Sequence, residues 1–446
     1  MRFRQVMAAM MPVAAMAALA VLPIGASSAA HAVTPAAGHV TPAASAPLAY
    51  RYVGKDSSRP AGSGYLFTCQ KPGAAINCYT PQELTTAYGI PKNLNGAGQT
   101  IVIIDAFGNP TITQDLGVED KTFKLPAAKL SIIYPNGKPA FKPSNANEVN
   151  WSGEISLDVE SAHAVAPAAK IDLVISKTDQ DPDILNALRY VMAHHLGSVL
   201  SQSYGEAESC EASSIVKADH TLFTQAEGQD MTVLAASGDN GAALPSCNGA
   251  TYIRSASLPA ADPLVTAVGA TSLTAAQPSG TYKSETAWND SYGSSGGGYS
   301  KAFKRPAYQN GFVSASGRGV PDVSYSGDVN NGLLIAWSQG VAANVGNIYE
   351  FGGSSAASPQ WAAIIALADQ TGHRRLGSLN TALYSFAHGS RYGYVFHDVT
   401  HGNNTVSAAG ANDHTVRIAG YSAAKGWDAV TGLGTPNVPH LLKYLH

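Results

Sequence analysis

Short apolar runs alternate with longer stretches of helical periodicity along the chain from Thr80 onward. The apolar runs predict buried strands, and the longer stretches predict helices. The predicted strands are Thr100–Asp105, Ile171–Ser176, Val199–Ser203, Thr232–Ala236 and Leu264–Val268, and the predicted helices cover residues 154–166, 183–195, 213–227 and 356–370. This alternation is typical of an α/β fold with a mostly parallel central sheet that is covered by helices on both faces.

Polar residues follow several of these strands. Asp105, Ser203 and Asp239 all stand at or just after predicted carboxyl ends. Ligands of open parallel sheets bind at that edge. We therefore expect the functional site to be built there.

The first 32 residues have the pattern of a secretory signal peptide. Arg2 and Arg4 precede an apolar run over residues 8–22, and Ala30-His31-Ala32 fits the small-x-small cleavage rule. A transmembrane anchor is the alternative, but prolines interrupt the run and no stop-transfer charges follow. We expect cleavage after Ala32, secretion to the extracellular space, and no membrane association afterwards.

Three segments follow from composition. Residues 1–32 form the signal peptide, and residues 33–78 combine an Ala/Pro-rich linker with a short cysteine-containing pro-segment or extension. Residues 79–446 are long enough for one large domain or two ordinary ones. The linker part, residues 33–50, is expected to be disordered.

Charge is scarce in this chain. Only 13% of the 446 residues are charged, the formal net charge is -3, and 45% are hydrophobic. The absence of Lys/Arg clusters argues against nucleic-acid binding, and the apolar content argues against disorder. A surface with few charges changes little when carboxylates are protonated, which suits a protein exposed to acid.

The four cysteines fit an exported protein, in which paired thiols persist. Three pairings are open, and we favour Cys69 with Cys78 and Cys210 with Cys247, because each joins sequence neighbours. A zinc site is the alternative. It lacks the usual Cys-x-x-Cys or His-x-x-x-His spacing.

Two acidic residues on one predicted helix form the first candidate site. Glu154 and Asp158 are four residues apart, so both carboxylates project from the same face. Like charges at that distance raise the pKa of one group and allow a shared proton. A solvated helix face is the alternative, but the apolar neighbours favour burial.

Three further segments carry candidate chemistry. Ser355 follows two glycines at a predicted helix start, where the helix dipole favours a developing oxyanion, although a plain N-cap is the alternative. Asp239 lies in a Gly-flanked turn, a common composition for turns. Asp398 and Asp428 lie in Gly-containing loops that offer the oxygen ligands preferred by Ca²⁺.

These four pieces, in this order, resemble the sedolisins, the serine-carboxyl peptidases of subtilisin-like fold. The resemblance runs from Tyr79 to the C-terminus and includes the segments around Asp105, Trp288, Arg318 and Trp427. It implies a three-layer fold in which Ser355 is the nucleophile, Glu154 the general base, Asp158 the acid that orients Glu154, and Asp239 the oxyanion-hole acid. Ser355 stands in a Gly-Ser-Ser where the family usually has Gly-Thr-Ser.

The resemblance also implies one structural Ca²⁺ ion and a substrate-lining loop. The calcium ligands would be the side chains of Asp398 and Asp428 and the carbonyls of Val399, Ala424 and Gly426. The substrate-lining loop would be Ser295-Gly296-Gly297.

We therefore expect a secreted, monomeric, acid-active peptidase that cleaves protein or peptide substrates through an acyl-enzyme. At pH 4 a histidine base is protonated, whereas a glutamate is still partly ionised. Whether it acts as an endopeptidase or a tripeptidyl-peptidase is open, and so is its side-chain preference. Sedolisins usually carry a long prodomain, and the segment before Tyr79 is short by comparison.

Two alternatives remain. A subtilisin-like triad of Asp105, His163 and Ser355 is conceivable, but His163 lies about 180° around the helix from Glu154. Asp105 and His163 are then expected to be structural. The second alternative is an inactive exported binding or structural protein on the same scaffold, which the presence of all four catalytic side chains disfavours.

Overall fold

The computed structural model describes residues 48–55, 67–71, 73–340, 344–409 and 415–445. The expected signal peptide, residues 1–32, and residues 33–47 of the expected linker lie outside these ranges. Within them, no helix combines the length and the apolar character that crossing a bilayer requires.

The helices and strands are numbered in chain order. The α-helices are α1 Pro81–Ala87, α2 Ile112–Phe123, α3 Ala146–Val165, α4 Asp181–Ala193, α5 Ser213–Gly228, α6 Ser354–Gly372, α7 Asn380–Ala387, α8 Tyr392–Val395 and α9 Val438–Tyr444. The strands are β1 Tyr50–Lys55, β2 Asn77–Tyr79, β3 Thr100–Ala106, β4 Lys129–Ile133, β5 Lys170–Ser176, β6 Val199–Gln202, β7 Glu206–Ala207, β8 Thr232–Ala236, β9 Ala243–Pro245, β10 Tyr252–Arg254, β11 Ser257–Leu258, β12 Thr266–Ala276, β13 Thr281–Ala287, β14 Gly298–Lys304, β15 Gly317–Val320, β16 Val323–Ser326, β17 Asn331–Ala336, β18 Asn347–Phe351, β19 Phe396–His397, β20 Val406–Ala409, β21 Thr415–Ile418 and β22 Thr435–Pro436.

The central sheet has the strand order β13-β12-β8-β6-β3-β5-β4, and β16 also pairs with β12. All pairs are parallel except β12 with β13. Successive side chains of a strand point to opposite faces. Accordingly, Ile101 and Ile103 pack into the core on the α3 and α6 side, while Val102 and Ile104 pack with α4 and α5. The expected three-layer α/β fold is confirmed.

Most predicted elements end within two residues of the observed bounds, but two are longer. Helix α3 begins at Ala146, eight residues before the predicted start, because polar residues of its first turns hide the apolar pattern. Asn145 caps it by accepting a hydrogen bond from the Asn147 amide (3.1 Å). Strand β12 continues to Ala276, since its second half pairs with β13.

The N-terminal strand β1 pairs antiparallel with β18 in a second sheet, of order β1-β18-β17-β2. Tyr50 packs its ring against Trp337 and Phe351 (centroids 5.1 and 5.6 Å away). The Gly352 amide donates to the Ala49 carbonyl (3.1 Å). The expected linker was to reach residue 50, but the structure places Tyr50 in a strand, because its aromatic side chain finds a buried aromatic partner surface.

Both favoured disulfides are present. Cys69 is bonded to Cys78, and Cys210 is bonded to Cys247. No free cysteine remains among the described residues. The prediction of the pairing is confirmed, and the first bond ties the preceding segment to strand β2.

A buried charge pair holds the strands β12, β15 and β16 together. Arg318 and Asp322 are both fully buried. The Arg318 guanidinium donates to Oδ2 of Asp322 (2.6 Å) and to the carbonyls of Val265 (2.7 Å), Gly319 (2.7 Å) and Asp262 (3.1 Å). Asp322 Oδ2 also accepts from the Ala267 amide (2.8 Å). The segment around Arg318 therefore stabilises the packing of these strands.

Candidate active site

Helix α3 carries Glu154 and Asp158 one turn apart, and neither side chain is exposed. The preceding turn is fixed by Trp337, whose indole donates to the Ser152 hydroxyl (3.1 Å). Gly153 leaves room there, because a Cβ would meet a terminal methyl of Leu48 and would lie 3.1 Å from Trp337. The prediction that this acidic pair is buried is confirmed.

Burial is the main influence on these two carboxyls, and it raises the pKa of both well above the ordinary range. The Ser355 hydroxyl lowers the pKa of Glu154, and the Ser203 hydroxyl lowers the pKa of Asp158. None of the four carboxylate oxygens accepts a hydrogen bond of normal geometry from a described residue. Since an unpartnered buried charge is costly, the pair is suited to holding a shared proton.

Ser355 is the second residue of α6, which packs beside α3. Its Oγ lies 3.5 Å from the Ser203 carbonyl, which is long for a hydrogen bond between oxygens. Pro359 has no amide hydrogen to donate to the Ser355 carbonyl, and the Ser203 hydroxyl lies 3.5 Å from that carbonyl. Because the contact of Oγ with the Ser203 carbonyl is long, the Ser355 hydroxyl can rotate toward Glu154 at this helix N-terminus.

Asp239 follows β8 and faces the start of α6. Its Oδ1 accepts from the Ser354 amide (2.7 Å) and hydroxyl (2.6 Å). Its Oδ2 is buried and has no partner among the described residues. A Cβ on Gly353 would collide with that oxygen, so the glycine, with φ of 100°, leaves it space. Burial raises the pKa of Asp239 to about 6, so that below this pH Oδ2 can donate a hydrogen bond.

Ser354 is part of this arrangement, although the sequence alone does not single it out. Its hydroxyl donates to Asp239 and accepts from the Gly238 amide (3.0 Å). It thereby fixes the orientation of the Asp239 carboxyl. The signal that could have found it is the Gly-Ser-Ser in which it replaces the usual threonine, since both residue types carry a hydroxyl.

Asp105 lies at the end of β3 and also belongs to the site. It is fully buried, and neither carboxylate oxygen has a hydrogen-bond partner among the described residues. Burial raises its pKa above the ordinary value, and its charge in turn raises the pKa of both Glu154 and Asp158. The expectation that Asp105 is structural stays a prediction, while its place after a strand agrees with the expected ligand-binding edge of the sheet.

His163 lies elsewhere. Its Nε2 is hydrogen-bonded to Asp120 (2.8 Å) and to the Pro126 carbonyl (3.0 Å). The imidazole is thus bound to groups of α2 and the following loop, and the charge of Asp105 acts on the α3 carboxyl pair instead. This arrangement disfavours a triad of Asp105, His163 and Ser355.

The Ser295-Gly296-Gly297 loop packs against the turn that carries Asp239. The Gly296 amide donates to the Gly238 carbonyl (2.6 Å), and a Cβ on Gly297 would collide with the Ala429 carbonyl. The Ser295 hydroxyl is used by the fold, because it donates to the Val430 carbonyl (2.7 Å) and accepts from the Ala270 amide (3.0 Å). Contact of this loop with substrate remains a prediction.

The expected calcium ligands converge near Tyr392. Tyr392 donates to Asp398 Oδ1 (2.9 Å), and the charges of Asp398 and Asp428 both raise its pKa. Asp398 and Asp428 form no ion pair with a described residue, which leaves their charge available to a cation. The carbonyls of Val399, Ala424 and Gly426 accept no hydrogen bond from the described residues. Two carboxylates and three free carbonyls fit the oxygen preference of Ca²⁺.

Comparison with known proteins agrees with this geometry. The sequence profile of the Subtilase family matches residues 144–380. Kumamolisin from Bacillus sp. (strain MN-32) is 33% identical over 431 residues, which cover 91% of this chain and 72% of kumamolisin. Sedolisin from Pseudomonas sp. (strain 101) is 28% identical over 82% of this chain and 61% of its own length.

A solved structure is similar as well. Pseudomonas sedolisin, a serine-carboxyl proteinase complexed with pseudo-iodotyrostatin, superimposes with a TM-score of 0.70 at 28% identity, covering 83% of this chain and 98% of that one. The profile match covers more than half of the chain, and the identity to kumamolisin extends over nearly all of it. The chain belongs to the sedolisin family of serine-carboxyl peptidases and is a hydrolase of that class.

Proposed function

We propose that the protein is a secreted, acid-active peptidase in which Ser355, Glu154, Asp158 and Asp239 perform the catalysis. The observation that carries this proposal is that the turn from Gly353 to Ser355 is hydrogen-bonded to Asp239 and brings the Ser355 hydroxyl to the start of α6, which packs beside the helix that carries Glu154. Asp239 is hydrogen-bonded to Ser354, and the Ser355 hydroxyl acts on Glu154. Nucleophile, base and oxyanion acid are thus available to one bound carbonyl group.

In the first step, Ser355 Oγ attacks the carbonyl carbon of the scissile peptide bond and passes its proton to Glu154. The carbonyl electrons move to the oxygen, which accepts a hydrogen bond from protonated Asp239. Collapse of this intermediate breaks the C–N bond, and the leaving amine takes the proton from Glu154. Water then attacks the acyl-enzyme by the same route, and Asp158 stabilises each protonation state of Glu154 through the shared proton.

The pH range of this chemistry follows from Asp239. Its pKa is raised to about 6 by burial, so it is a neutral donor below that pH and an anion above it. An anion beside the developing oxyanion would repel it. Activity is therefore expected in acid and should fall as pH rises past about 6.

The test compares hydrolysis of a denatured protein by the wild type and by Ser355→Ala at pH 4 and pH 7. Ser385→Ala, on the exposed face of α7, is the matched control. We expect turnover at pH 4 in the wild type and in the control, and none above background in Ser355→Ala. Full activity of Ser355→Ala, or an activity that rises toward pH 8, would contradict the proposal.

The N-terminal residues 48–78 are proposed to remain in the mature enzyme. Strand β1 pairs with the strand that leads into Ser355, Leu48 packs at Gly153 next to Glu154, and Cys78 is bonded to Cys69. The two disulfides also support export to an oxidising compartment. Mass spectrometry of the secreted protein should give an N-terminus before Leu48, near Val33; an N-terminus at Tyr79 would overturn this proposal.

The calcium proposal concerns stability. Asp398, Asp428 and the carbonyls of Val399, Ala424 and Gly426 would hold one Ca²⁺, whose charge compensates two carboxylates and joins their loops. Removal of calcium with a chelator should lower Tm, and readdition should restore it. In Asp398→Asn the chelator should have little further effect; an equal chelator effect in that variant would contradict the site.

Products distinguish the two kinds of peptidase. An endopeptidase cleaves a peptide whose N-terminus is acetylated, whereas a tripeptidyl-peptidase needs the free amine. Mass spectrometry of the products from matched free and acetylated peptides therefore decides between them.

A further inference from the structure

A second group of buried ionisable side chains lies between helices α2 and α3, apart from the catalytic carboxyls. Glu119, Asp120 and His163 bring ligand atoms within 4.8 Å of one another. Glu119 and His163 are fully buried, and the Asp120 side chain is 17% exposed. Neither the proposed mechanism nor the proposed calcium site uses any of these residues.

Glu119 is the residue whose surroundings need explanation. Both of its carboxylate oxygens are buried and have no hydrogen-bond partner among the described residues. The nearby charge of Asp120 adds to burial in raising the pKa of Glu119. An isolated buried carboxylate costs several kcal/mol, so the group needs either a proton or a cation.

A fourth donor stands on the same face of α3. Glu160 and His163 are three residues apart, which places both on one face of the helix. Glu160 is fully buried; its Oε2 accepts from the Ala336 amide (2.7 Å), whereas Oε1 has no described partner. Among the charges that act on Glu160, that of Glu119 has the largest effect on its pKa. The two glutamates are therefore neighbours.

The imidazole has a ring nitrogen to spare as well. Its Nε2 is engaged by Asp120 and Pro126, but Nδ1 is buried and has no partner among the described residues. The remaining carboxyl acting on the cluster is Asp115, which the Ser338 and Thr111 hydroxyls satisfy. No lysine or arginine forms an ion pair with any of these carboxylates within the described part of the chain.

We propose that Glu119, Asp120 and His163, with Glu160 beside them, bind one divalent transition-metal ion. Carboxylate and imidazole donors together suit Zn²⁺, Mn²⁺ or Fe²⁺ rather than Ca²⁺, which prefers oxygen alone. A Glu-x-x-His pair on one helix, completed by carboxylates of a neighbouring helix, is a known donor arrangement in helical metal sites. Zn²⁺ is the probe of choice, since it binds such N/O sets tightly and has no redox chemistry.

The ion would stabilise helix α3, which carries Glu154 and Asp158. It would join α2 to α3 two turns after Glu154, on the face opposite the acidic pair. The role of the ion is therefore structural, and it takes no part in the hydrolysis of peptide bonds. The two proposals can fail independently, because metal binding is measured on a protein that lacks the nucleophile.

The experiment uses the full secreted chain carrying Ser355→Ala, which prevents autolysis. The protein is stripped with a chelator and returned to a buffer at pH 7 that contains excess calcium but no transition metal. It is then loaded with Zn²⁺ and gel-filtered. Elemental analysis should find one retained zinc per chain. Zinc at about 100 times its Kd should raise Tm by roughly 3 °C.

Matched variants locate the ion. Glu119→Gln should reduce the retained zinc at least tenfold, whereas Glu227→Gln, at an exposed site on α5, and Asp398→Asn, at the calcium loops, should retain it. Loading with Co²⁺ gives a second measurement that depends on the ligands: visible d–d absorption should appear in the parent protein and weaken in His163→Asn. If Glu119→Gln does not fold, zinc retention by the parent protein and the Co²⁺ spectrum of His163→Asn still test the site. No retained zinc in the parent, or unchanged zinc in Glu119→Gln, would show that the cluster holds protons instead and would overturn the proposal.

Discussion

Two buried ionic groups of this protein have the same exposure but opposite surroundings. Arg318 and Asp322 lie at zero exposure with charge matched to charge and the guanidinium bonded to four oxygens. Asp105, Glu154 and Asp158 are equally buried, and none of their oxygens has a described partner. The first group is satisfied and serves the fold. The second is left unsatisfied, as the proposed mechanism requires of groups that exchange protons with a substrate.

The largest effect should come from Glu154→Gln, which removes the proposed base. We expect kcat to fall by about 10⁴-fold or more, as for other nucleophile–base units. Tm should stay the same or rise, because an unpartnered buried carboxyl is replaced by a neutral amide. Steady-state kinetics and thermal unfolding check both parts; a large loss of Tm with retained activity would place Glu154 with the satisfied group instead.

Breaking the satisfied pair should do the reverse. Arg318→Met leaves Asp322 buried without its counter-charge, which should lower the free energy of unfolding by about 3–5 kcal/mol. Adding Asp322→Leu should recover part of that loss, since no charge then remains unpaired. Urea unfolding of the single and double variants measures both. If Arg318→Met is as stable as the wild type, the contrast between the two groups does not hold.

Asp239 should show an intermediate effect on rate. Asp239→Asn keeps the hydrogen bonds from Ser354 to the side-chain oxygen but changes the group that faces the oxyanion. We expect kcat to fall by up to about 10²-fold, at the lower end of the range for loss of an oxyanion donor, because the Asn amide still donates. The decline of activity above pH 6 should also disappear from the pH–rate profile. If activity of the variant still declines above pH 6, the decline is due to the titration of another group.

The same residue gives a prediction for stability against pH. Because the folded-state pKa of Asp239 is raised from 3.8 to about 6, its stabilising contribution is complete below pH 3.8 and is lost as pH rises past about 6. That loss amounts to roughly 2 kcal/mol between pH 4 and pH 7. In a Ser355→Ala background, the unfolding free energies at the two pH values should differ less once Asp239→Asn is added. An unchanged difference would contradict the raised pKa.

The smallest effect is expected at Asp105, which acts through Glu154 and Asp158. Asp105→Asn removes an ionisable neighbour whose charged form raises the pKa of both. The pH–rate profile should shift toward lower pH, with a change in kcat of about tenfold. Since Asn is close in shape, Tm should be retained. A loss of Tm without any shift of the profile would make Asp105 structural after all.

The success of sequence reasoning depended on local patterns. Apolar runs predicted the sheet because β-strands of a parallel sheet are buried on both faces, and the spacing of Glu154 and Asp158 predicted their shared face. The disulfides followed from short separations. The first turns of α3 could not be predicted, because tertiary packing buries polar residues such as Glu148 there. Ser354 was not predicted, because its contact with Asp239 depends on segments more than a hundred residues apart that meet only in the fold.

The N-terminal strand was missed for the same reason, and it has a consequence for how the chain reaches its final form. The ion pair between Arg51 and Glu350 joins residues 299 positions apart. Strand β1 leaves the ribosome among the first segments, yet its partner β18 is made only after most of the chain. Contacts so distant in sequence form late and slowly. The strand that leads to the nucleophile is therefore completed only when synthesis is nearly finished, which delays the assembly of the hydrolytic machinery until the whole polypeptide has been made.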